Sequence, residues 1–179
     1  LTAGLTGAAC ATHSVTPSET SSKAHAWPWP YAKLDPEVGR KLGHDCYFSG
    51  KGCSYGSFHP IIHGLREKIG DPFTFVPTEI MIYGHGGGAG WGGLCGALNG
   101  AAAAICLVTD KKTSDMLISD LFGWYSQAYL PTDRSNEYGV KKVYGVNKYD
   151  QVLPQSKSGS ILCHASGTSW CNHTRINIT

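Results

Sequence analysis

The sequence has little charge, no long apolar run and no closely spaced cysteine pair. Only 16% of its 179 residues are charged, the formal net charge is +2, and Lys and Arg form no stripe; we therefore exclude nucleic acid as a partner. The longest run of small apolar residues, "AAAAICLV" at 101–108, is far shorter than the roughly 18 residues that suggest a membrane span. The absence of any C-x-x-C spacing removes zinc ribbons and thioredoxin-like motifs.

Cysteine and glycine, in contrast, are abundant. The seven cysteines are an odd number, so disulfides within one chain cannot use them all. The 23 glycines are roughly twice the average share, and they concentrate in "GHGGGAGWGGLCGALNG" at 84–100. Gly88, Gly90 and Gly93 match the G-x-G-x-x-G of dinucleotide-binding loops, with Asp110 downstream. However, no further strand–helix–strand units are visible that would build the required sheet.

A second hypothesis explains the same stretch by a metal cluster. Glycine has no Cβ, so Gly90, Gly92, Gly93 and Gly96 would let the backbone and its amides approach an object bound at Cys95. The alternative is close packing between helices, with Cys95 as a small buried hydrophobic residue. The residues alone leave both explanations open.

The chain is predicted to be a single domain, mainly α with long irregular loops. Helices are expected at 59–70, 90–108 and 112–132, a short strand at 78–83, and loop over 132–160 with a short strand at 141–146. Residues 12–37 form an extended arm containing "WPWPY", because its prolines oppose regular helix. Residues 1–11 are interpreted as the remnant of an export signal, and 38–179 as a redox domain.

Four blocks then carry a family resemblance. Cys46, the pair Gly52-Cys53, the block "GLCGALNGA" and the block "LCHASGTSWC" occur in that order. Over about residues 40–171, the chain resembles a family of redox-active bacterial proteins named for a C…GC…C…C pattern, to which split-Soret cytochromes c belong. The resemblance implies a dimeric, exported electron-transfer protein with an iron–sulfur centre and c-type haems near the subunit interface. It makes Cys46, Cys53, Cys95 and Cys163 candidate cluster ligands, of which three or four serve.

One departure from the cytochromes concerns haem. Covalent haem c needs C-x-x-C-H, which this sequence lacks; in "SILCH" a serine, Ser160, stands where the first cysteine belongs. Haem therefore stays open as a second cofactor, bound without thioethers through two of the eight histidines. His85, in the glycine stretch, and His164, next to Cys163, are candidates either to donate a hydrogen bond near a cluster or to replace a cysteine as its ligand.

Three further histidines are weaker candidates. His59 and His63 stand four residues apart, which would let them grip one metal from a helix, and His25 would reach a haem in a partner subunit. Ordinary solvated or helix-start histidines are the alternative for each.

The sequence thus predicts an electron carrier rather than an enzyme, because no activated nucleophile or paired carboxylate stands out. We expect an iron–sulfur cluster, a homodimer or higher homo-oligomer, a redox partner protein, and export. Two alternatives stay open. The first is a thiol/disulfide redox protein using Cys46 with Cys53 or Cys95 with Cys163. The second is a disulfide-stabilised assembly protein without a cofactor.

Overall fold

Helices dominate the fold, as the sequence predicts. The computed structural model describes residues 25–146 and 149–176, so the predicted export-signal remnant at 1–11 and the first half of the arm lie outside the described residues. The helices of the described chain are α1 Pro36–Cys46, α2 Gly52–Ile69, α3 Gly96–Val108, α4 Lys111–Gln127, α5 Asp133–Val140 and α6 Cys163–Thr174. No helix of these ranges is long and apolar enough to cross a membrane.

The first two helices form a tight pair joined by a π-helical turn, Tyr47–Lys51. Asp35 begins α1 by accepting a hydrogen bond from the Glu37 amide. The helix predicted at 59–70 begins earlier, at Gly52, and contains Pro60. Pro60 lacks the N–H that would bond the Gly56 carbonyl. This carbonyl instead lies against Gly43 of α1, and a Cβ added to Gly43 would be 2.5 Å from the carbonyl oxygen. The missing helix bond therefore coincides with the closest approach of α1 and α2.

The core lies where α2 meets α3 and the segment between them. Its buried members are Phe58, Ile62, Leu65, Phe73, Met81 and Ala104. Gly100 lets α3 approach α2 closely, because a Cβ there would collide with the Ser54 carbonyl and the Ser57 hydroxyl. Close helix packing, one of the two explanations for the small residues, is thus observed at this position.

The segment before α3 corrects two predictions. Thr78–Gly84 is a 3₁₀ helix, not the predicted strand at 78–83, and its buried residues are Thr78, Met81 and Gly84. Burial at every third position matches the three residues per turn of a 3₁₀ helix rather than the alternation of a strand. The helix predicted at 90–108 begins only at Gly96, because the preceding glycines adopt left-handed turns.

The C-terminal part of the chain is more regular than predicted. The Asp110 side chain caps α4 by accepting from the Thr113 amide. The predicted loop at 132–160 contains α5, capped by Thr132, and a short strand β2 (Ser156–Lys157) that pairs antiparallel with β1 (Tyr129–Leu130). Within the described chain, β1 and β2 form a two-stranded antiparallel sheet, which does not match a parallel dinucleotide-binding sheet.

The predicted strand at 141–146 is also wrong, since these residues form turns and bends. The Asp45 carboxylate holds this segment by accepting from the amides of Gly145 (3.1 Å) and Val146 (3.0 Å). Backbone groups satisfied by a side chain in this way need no strand partner.

The described part of the arm lies across the C-terminal end of α3. The Trp27 indole N–H donates to the Cys106 carbonyl (2.6 Å), and the Trp29 amide donates to the Leu107 carbonyl (2.8 Å). The Trp29 ring meets Phe73 edge-on at 5.4 Å. Residues 27–29 therefore contact the body of their own chain.

Candidate functional site

Three of the four predicted ligands begin helices. Cys95 is the N-cap of α3, Cys163 is the first residue of α6, and Cys53 is the second residue of α2. The first amides of a helix have no intrahelical acceptor and carry a partial positive charge. We refer to Cys53, Cys95 and Cys163 as the N-terminal trio.

An isolated antiparallel bridge brings Cys95 and Cys163 together. Leu94 pairs with Leu162, the Cys95 amide donates to the Ile161 carbonyl (2.8 Å), and the Cys163 amide donates to the Gly93 carbonyl (2.8 Å). Because neighbouring residues on a strand alternate in direction, both cysteines project to the face opposite the two leucines. They form a diagonal pair, for which Cα atoms lie roughly 7–8 Å apart.

Gly96 brings Cys53 into the same place. An added Cβ on Gly96 would overlap the Cys53 sulfur and lie 2.5 Å from the Gly84 carbonyl. The absence of a side chain therefore lets the first turn of α3 touch the Cys53 sulfur directly.

Burial and the neighbouring cysteines oppose ionisation of Cys163. Burial raises the pKa of the Cys163 thiol, and the neighbouring Cys95 and Cys53 raise it further. The three helix N-termini act in the opposite sense, since they favour negative charge. Bringing several thiolates together here therefore calls for a positive counter-charge, which a bound metal supplies.

Cys46 has different surroundings. It is the last residue of α1, burial raises the pKa of its thiol, Lys51 lowers it and Asp45 raises it. The structure thus groups three of the predicted ligands and places Cys46 at a helix C-terminus, beyond the π-helical turn.

Two tyrosines near the trio were missed by sequence reasoning. Burial, and then the nearby Cys95 thiol, raise the pKa of the half-buried Tyr125 of α4 to about 12. Burial raises the pKa of Tyr47, with added contributions from Cys53 and Cys163. Tyr125 belongs to the apolar period of α4, so no local pattern marked it as a site residue.

The predicted glycines have separate structural roles. A Cβ on Gly92 would lie 2.5 Å from His164 Nδ1, and one on Gly93 would lie 2.8 Å from the Gly87 carbonyl, whereas one on Gly90 would meet no heavy atom within 4 Å. Gly90 (φ 85°) and Gly92 (φ 76°) also occupy the left-handed region. They shape a loop that folds back on itself and leads into the Cys95 position.

The histidines lie around the site or away from it. His85 is exposed and packs against Gly52, the residue before Cys53. A Cβ added to Gly52 would lie 2.7 Å from the His85 Cβ. His59 Nδ1 lies 2.9 Å from the Tyr55 hydroxyl and 2.8 Å from the Thr78 hydroxyl, and burial lowers its pKa. His63 faces Glu67 at 3.9 Å. His59 is thus a hydrogen-bonded residue of the interior.

The described donor set does not form a site for a single metal ion. Across residues 25–146 and 149–176, no three His, Cys, Asp or Glu side chains lie close enough to hold one metal ion. In a polynuclear cluster, cysteines bind different irons and therefore stand further apart than the ligands of one ion. Soft thiolates at helix N-termini are suitable ligands for iron and sulfide.

Comparison with known sequences assigns this chain to a family. Residues 59–176 match the family described as "Putative redox-active protein (C_GCAxxG_C_C)". The chain belongs to this family. The matched residues include Cys95 and Cys163, while Cys46 and Cys53 precede them.

A cytochrome shares most of the chain's length and its fold. The chain is 36% identical over 157 residues to split-Soret cytochrome c of Desulfovibrio desulfuricans, covering 86% of this chain and 53% of the cytochrome. It also matches the structure published as "A novel iron centre in the split-Soret cytochrome c from Desulfovibrio desulfuricans ATCC 27774", with a TM-score of 0.72 and 35% identity, over 84% of this chain and 60% of that chain. The chain therefore spans little more than half the length of the relative it matches.

Proposed function

We propose that the protein is an electron carrier that holds an iron–sulfur cluster on Cys53, Cys95 and Cys163. The observation that carries this proposal is that three cysteines at helix N-termini come together: the Leu94–Leu162 bridge joins the segments of Cys95 and Cys163, and Gly96 contacts the Cys53 sulfur. Membership of a redox-active family and a relative with an iron centre support it.

The bridge, Gly96 and the helix N-termini each contribute to the proposed cluster site. The bridge fixes the two backbones that present Cys95 and Cys163, and Gly96 seats the Cys53 sulfur against α3. The helix N-termini offset part of the negative charge of the ligands. When bound, the cluster supplies one-electron chemistry at a potential set by its charge, its hydrogen bonds and its exposure.

Cys46 and haem have weaker support. Cys46 stays a predicted fourth ligand; it lies at the end of α1, and the π-helical turn separates it from Cys53 in the chain. Haem stays a candidate second cofactor. The cytochrome relative supports it, whereas this sequence contains no C-x-x-C-H for covalent attachment of haem c.

The visible spectrum of anaerobically purified protein tests the proposal. We expect broad absorption that bleaches with dithionite, together with iron and acid-labile sulfide in matching amounts. A sharp Soret band would add haem. Cys163→Ser should lose the absorption, whereas Cys171→Ser, two turns further along the same helix, should keep it.

A thiol/disulfide carrier is the second candidate. The diagonal placement of Cys95 and Cys163 favours it, because two thiols on one face are within reach of a small rearrangement. It predicts a colourless, iron-free protein that loses two titratable thiols on mild oxidation. That result would overturn the cluster proposal.

We also propose that the protein is exported and forms a homo-oligomer with a separate redox partner. The exposed Met116, Leu117 and Trp124 of α4 support association, because they leave an apolar helix face uncovered by the described chain. Cell fractionation and the solution mass test these two proposals separately.

A further inference from the structure

We propose that the cavity between α1 and α2 binds a small amphipathic anion, a molecule with an apolar body and one negatively charged group such as a carboxylate. The cavity has a volume of about 650 Å³, within the roughly 300–1,000 Å³ of sites that hold small ligands. The proposal concerns a ligand other than the cluster and does not rest on the proposed function.

Apolar side chains form much of the cavity wall. They are Leu34, Pro36, Val38, Leu42, Pro60 and Ile61. Val38 is 64% exposed, so the described chain leaves this part of the wall open to solvent. Covering such a wall with the apolar body of a ligand is favourable in proportion to the area removed from water.

Glycines line the rest of the wall, and helix packing explains most of them. A Cβ added to Gly43 or to Gly56 would lie 2.5 Å or 2.8 Å from a backbone carbonyl of the facing helix. A Cβ on Gly39, by contrast, would meet no heavy atom within 4 Å. Glycine inside a helix is less stable than alanine. Packing therefore gives no reason for glycine at position 39, where a side chain would enter the open cavity.

The two acidic residues of the cavity wall already have partners. The Asp35 carboxylate accepts a hydrogen bond from the Glu37 amide at the start of α1. The Glu67 carboxylate faces the imidazole of His63 at 3.9 Å. Neither carboxylate is therefore left to attract a cation into the cavity.

The two basic residues of the wall are less well compensated. Lys68 Nζ donates to the Lys33 carbonyl and forms no ion pair within the described chain. Arg40 Nε has no hydrogen-bond partner there. The carboxylate closest to it, that of Glu37, is 3.6 Å away and also pairs with Arg134 at 3.3 Å. The cavity thus combines an apolar wall with incompletely neutralised positive charge, which is complementary to an amphipathic anion.

The cavity lies close to the first two cysteines of the helical region. Gly43 and Gly56 line it and are three residues from Cys46 and Cys53, respectively. Residues three apart lie on the same side of a helix and are about 4.5 Å apart along its axis. A bound molecule would therefore lie beside the helix pair whose adjoining ends carry these cysteines.

Two fluorescent probes of similar size test the site. Anilinonaphthalene sulfonate is anionic, and phenylnaphthylamine is uncharged. Both are titrated into the full chain as purified. We expect one anionic probe to bind per chain, with the blue-shifted emission of an apolar environment, and the uncharged probe to bind more weakly. Decanoate should displace the anionic probe, because its carboxylate and alkyl chain provide the same two features.

A substitution that fills the cavity links probe binding to this place. Gly39→Leu puts a side chain into the open space. Gly39→Ala is the matched control, because alanine and leucine have similar helix propensities and alanine adds only a methyl group. We expect Gly39→Leu to weaken the binding of both probes at least about tenfold, the effect of overpacking, and Gly39→Ala to keep most of the affinity. Circular dichroism shows whether both variants are folded.

Removal of the positive charges tests the anionic class of the ligand. We expect Arg40→Gln, Lys68→Gln or both to weaken the anionic probe about two- to fivefold, the effect of one partly exposed charge pair. The uncharged probe should bind these variants unchanged. Lys112→Gln, at an exposed lysine of α4 away from the cavity, is the control and should bind both probes normally.

Three outcomes would overturn the proposal. The first is no probe binding by the unaltered chain, and the second is equal binding by the unaltered chain and folded Gly39→Leu. The third is a lower solution mass of Gly39→Leu without probe binding by any form, which would make the cavity a contact between copies of the chain. Probe affinities unaffected by both charge variants would exclude an anion as the ligand. None of these results bears on the cluster, since iron and sulfide are assayed separately.

Discussion

The six described cysteines divide into two sets by their place on the helices. Cys53, Cys95 and Cys163 lie at the N-terminal ends of α2, α3 and α6, whereas Cys46, Cys106 and Cys171 lie in the last turns of α1, α3 and α6. A helix N-terminus favours a negative group and a C-terminus disfavours it. The same side chain is therefore suited to metal ligation at one end of a helix and poorly suited at the other.

Helix α3 shows the contrast within one element. At its start, Cys95 is buried beside other cysteines and Tyr125; near its end, Cys106 is exposed and its carbonyl accepts the Trp27 indole. Spacing along the sequence does not reveal this difference, but the direction of the helix does. Position on a helix thus distinguishes candidate ligands that composition treats as equal.

The largest expected effect is on iron binding. Removing groups that only support a metal ligand costs about 10- to 100-fold in affinity, so Cys95→Ser should lower the apparent iron affinity by at least about a hundredfold. Cys106→Ser should leave it unchanged. Cys46→Ser sharpens the comparison, because a large loss would add a C-terminal cysteine to the ligand set. Iron titrations followed by absorbance measure all three.

Gly96→Ala is expected to destabilise the fold and spread the trio apart. Its Cβ would overlap the Cys53 sulfur and press on the Gly84 carbonyl, and such overpacking costs about 1–3 kcal/mol. Gly123→Ala is the matched control, since nothing lies within 4 Å of a Cβ there; it should stabilise α4 by about 0.5–1 kcal/mol. Urea unfolding measures both changes, and equal midpoints would contradict the contact.

A smaller effect concerns the pH dependence of stability. Burial is the main cause that lowers the pKa of His59. His63, Arg66 and Lys51 lower it further, whereas Glu79 raises it. The unfolded chain therefore takes up a proton at the ordinary histidine pKa of about 6.5, whereas His59 in the folded chain takes it up only at lower pH. The contribution of His59 is complete above that pH and is lost as pH falls below it.

Thermal melts between about pH 5 and pH 7.5, a range that spans the ordinary histidine pKa, test whether acidification lowers the stability as predicted. The melting temperature should fall on acidification, and His59→Asn should flatten the fall, because asparagine offers a polar group and does not titrate. His25→Asn, at an exposed histidine of the arm, serves as the control and should keep the slope of the unaltered protein. If the melting temperature of His59→Asn fell with pH as steeply as that of the unaltered protein, other groups would cause the acid sensitivity.

The smallest effect is expected at the carbonyl end of α3. Trp27→Phe removes the indole N–H that bonds the Cys106 carbonyl, at a cost of about 0.5–1.5 kcal/mol for one hydrogen bond. Tyr31→Phe, on the same segment, should have no measurable effect. Chemical unfolding of the two variants distinguishes a packed arm from one that only lies alongside the helix.

Local signals predicted part of this structure well. The apolar period at 112–132 correctly predicted α4, which ends earlier, at Gln127, and is capped by Asp110, a residue considered only for a nucleotide loop. The family resemblance named four cysteines, and the structure groups three of them. Local signals failed where distant residues decide the conformation. The 3₁₀ helix at Thr78–Gly84 follows its burial against α2, and the loop at 141–146 follows the Asp45 carboxylate.

The site was harder to predict than the helices, for a related reason. Cys46 and Cys53 are close in sequence, but the π-helical turn with Gly50 at φ 90° separates the end of one helix from the start of the next. Tyr125 lies near Cys95 only because α4 returns past the start of α3. Neither fact has a counterpart in residue spacing.

The bridge between Leu94 and Leu162 has a consequence for the order of biosynthesis. Once residue 95 has been added, 68 residues follow up to and including Cys163, so during this time the growing chain holds Cys53 and Cys95 as an incomplete pair. Insertion of the proposed cluster through all three thiols must therefore follow translation of Cys163, at the start of α6. Until then, the nascent chain depends on the surrounding milieu to keep its early thiols reduced.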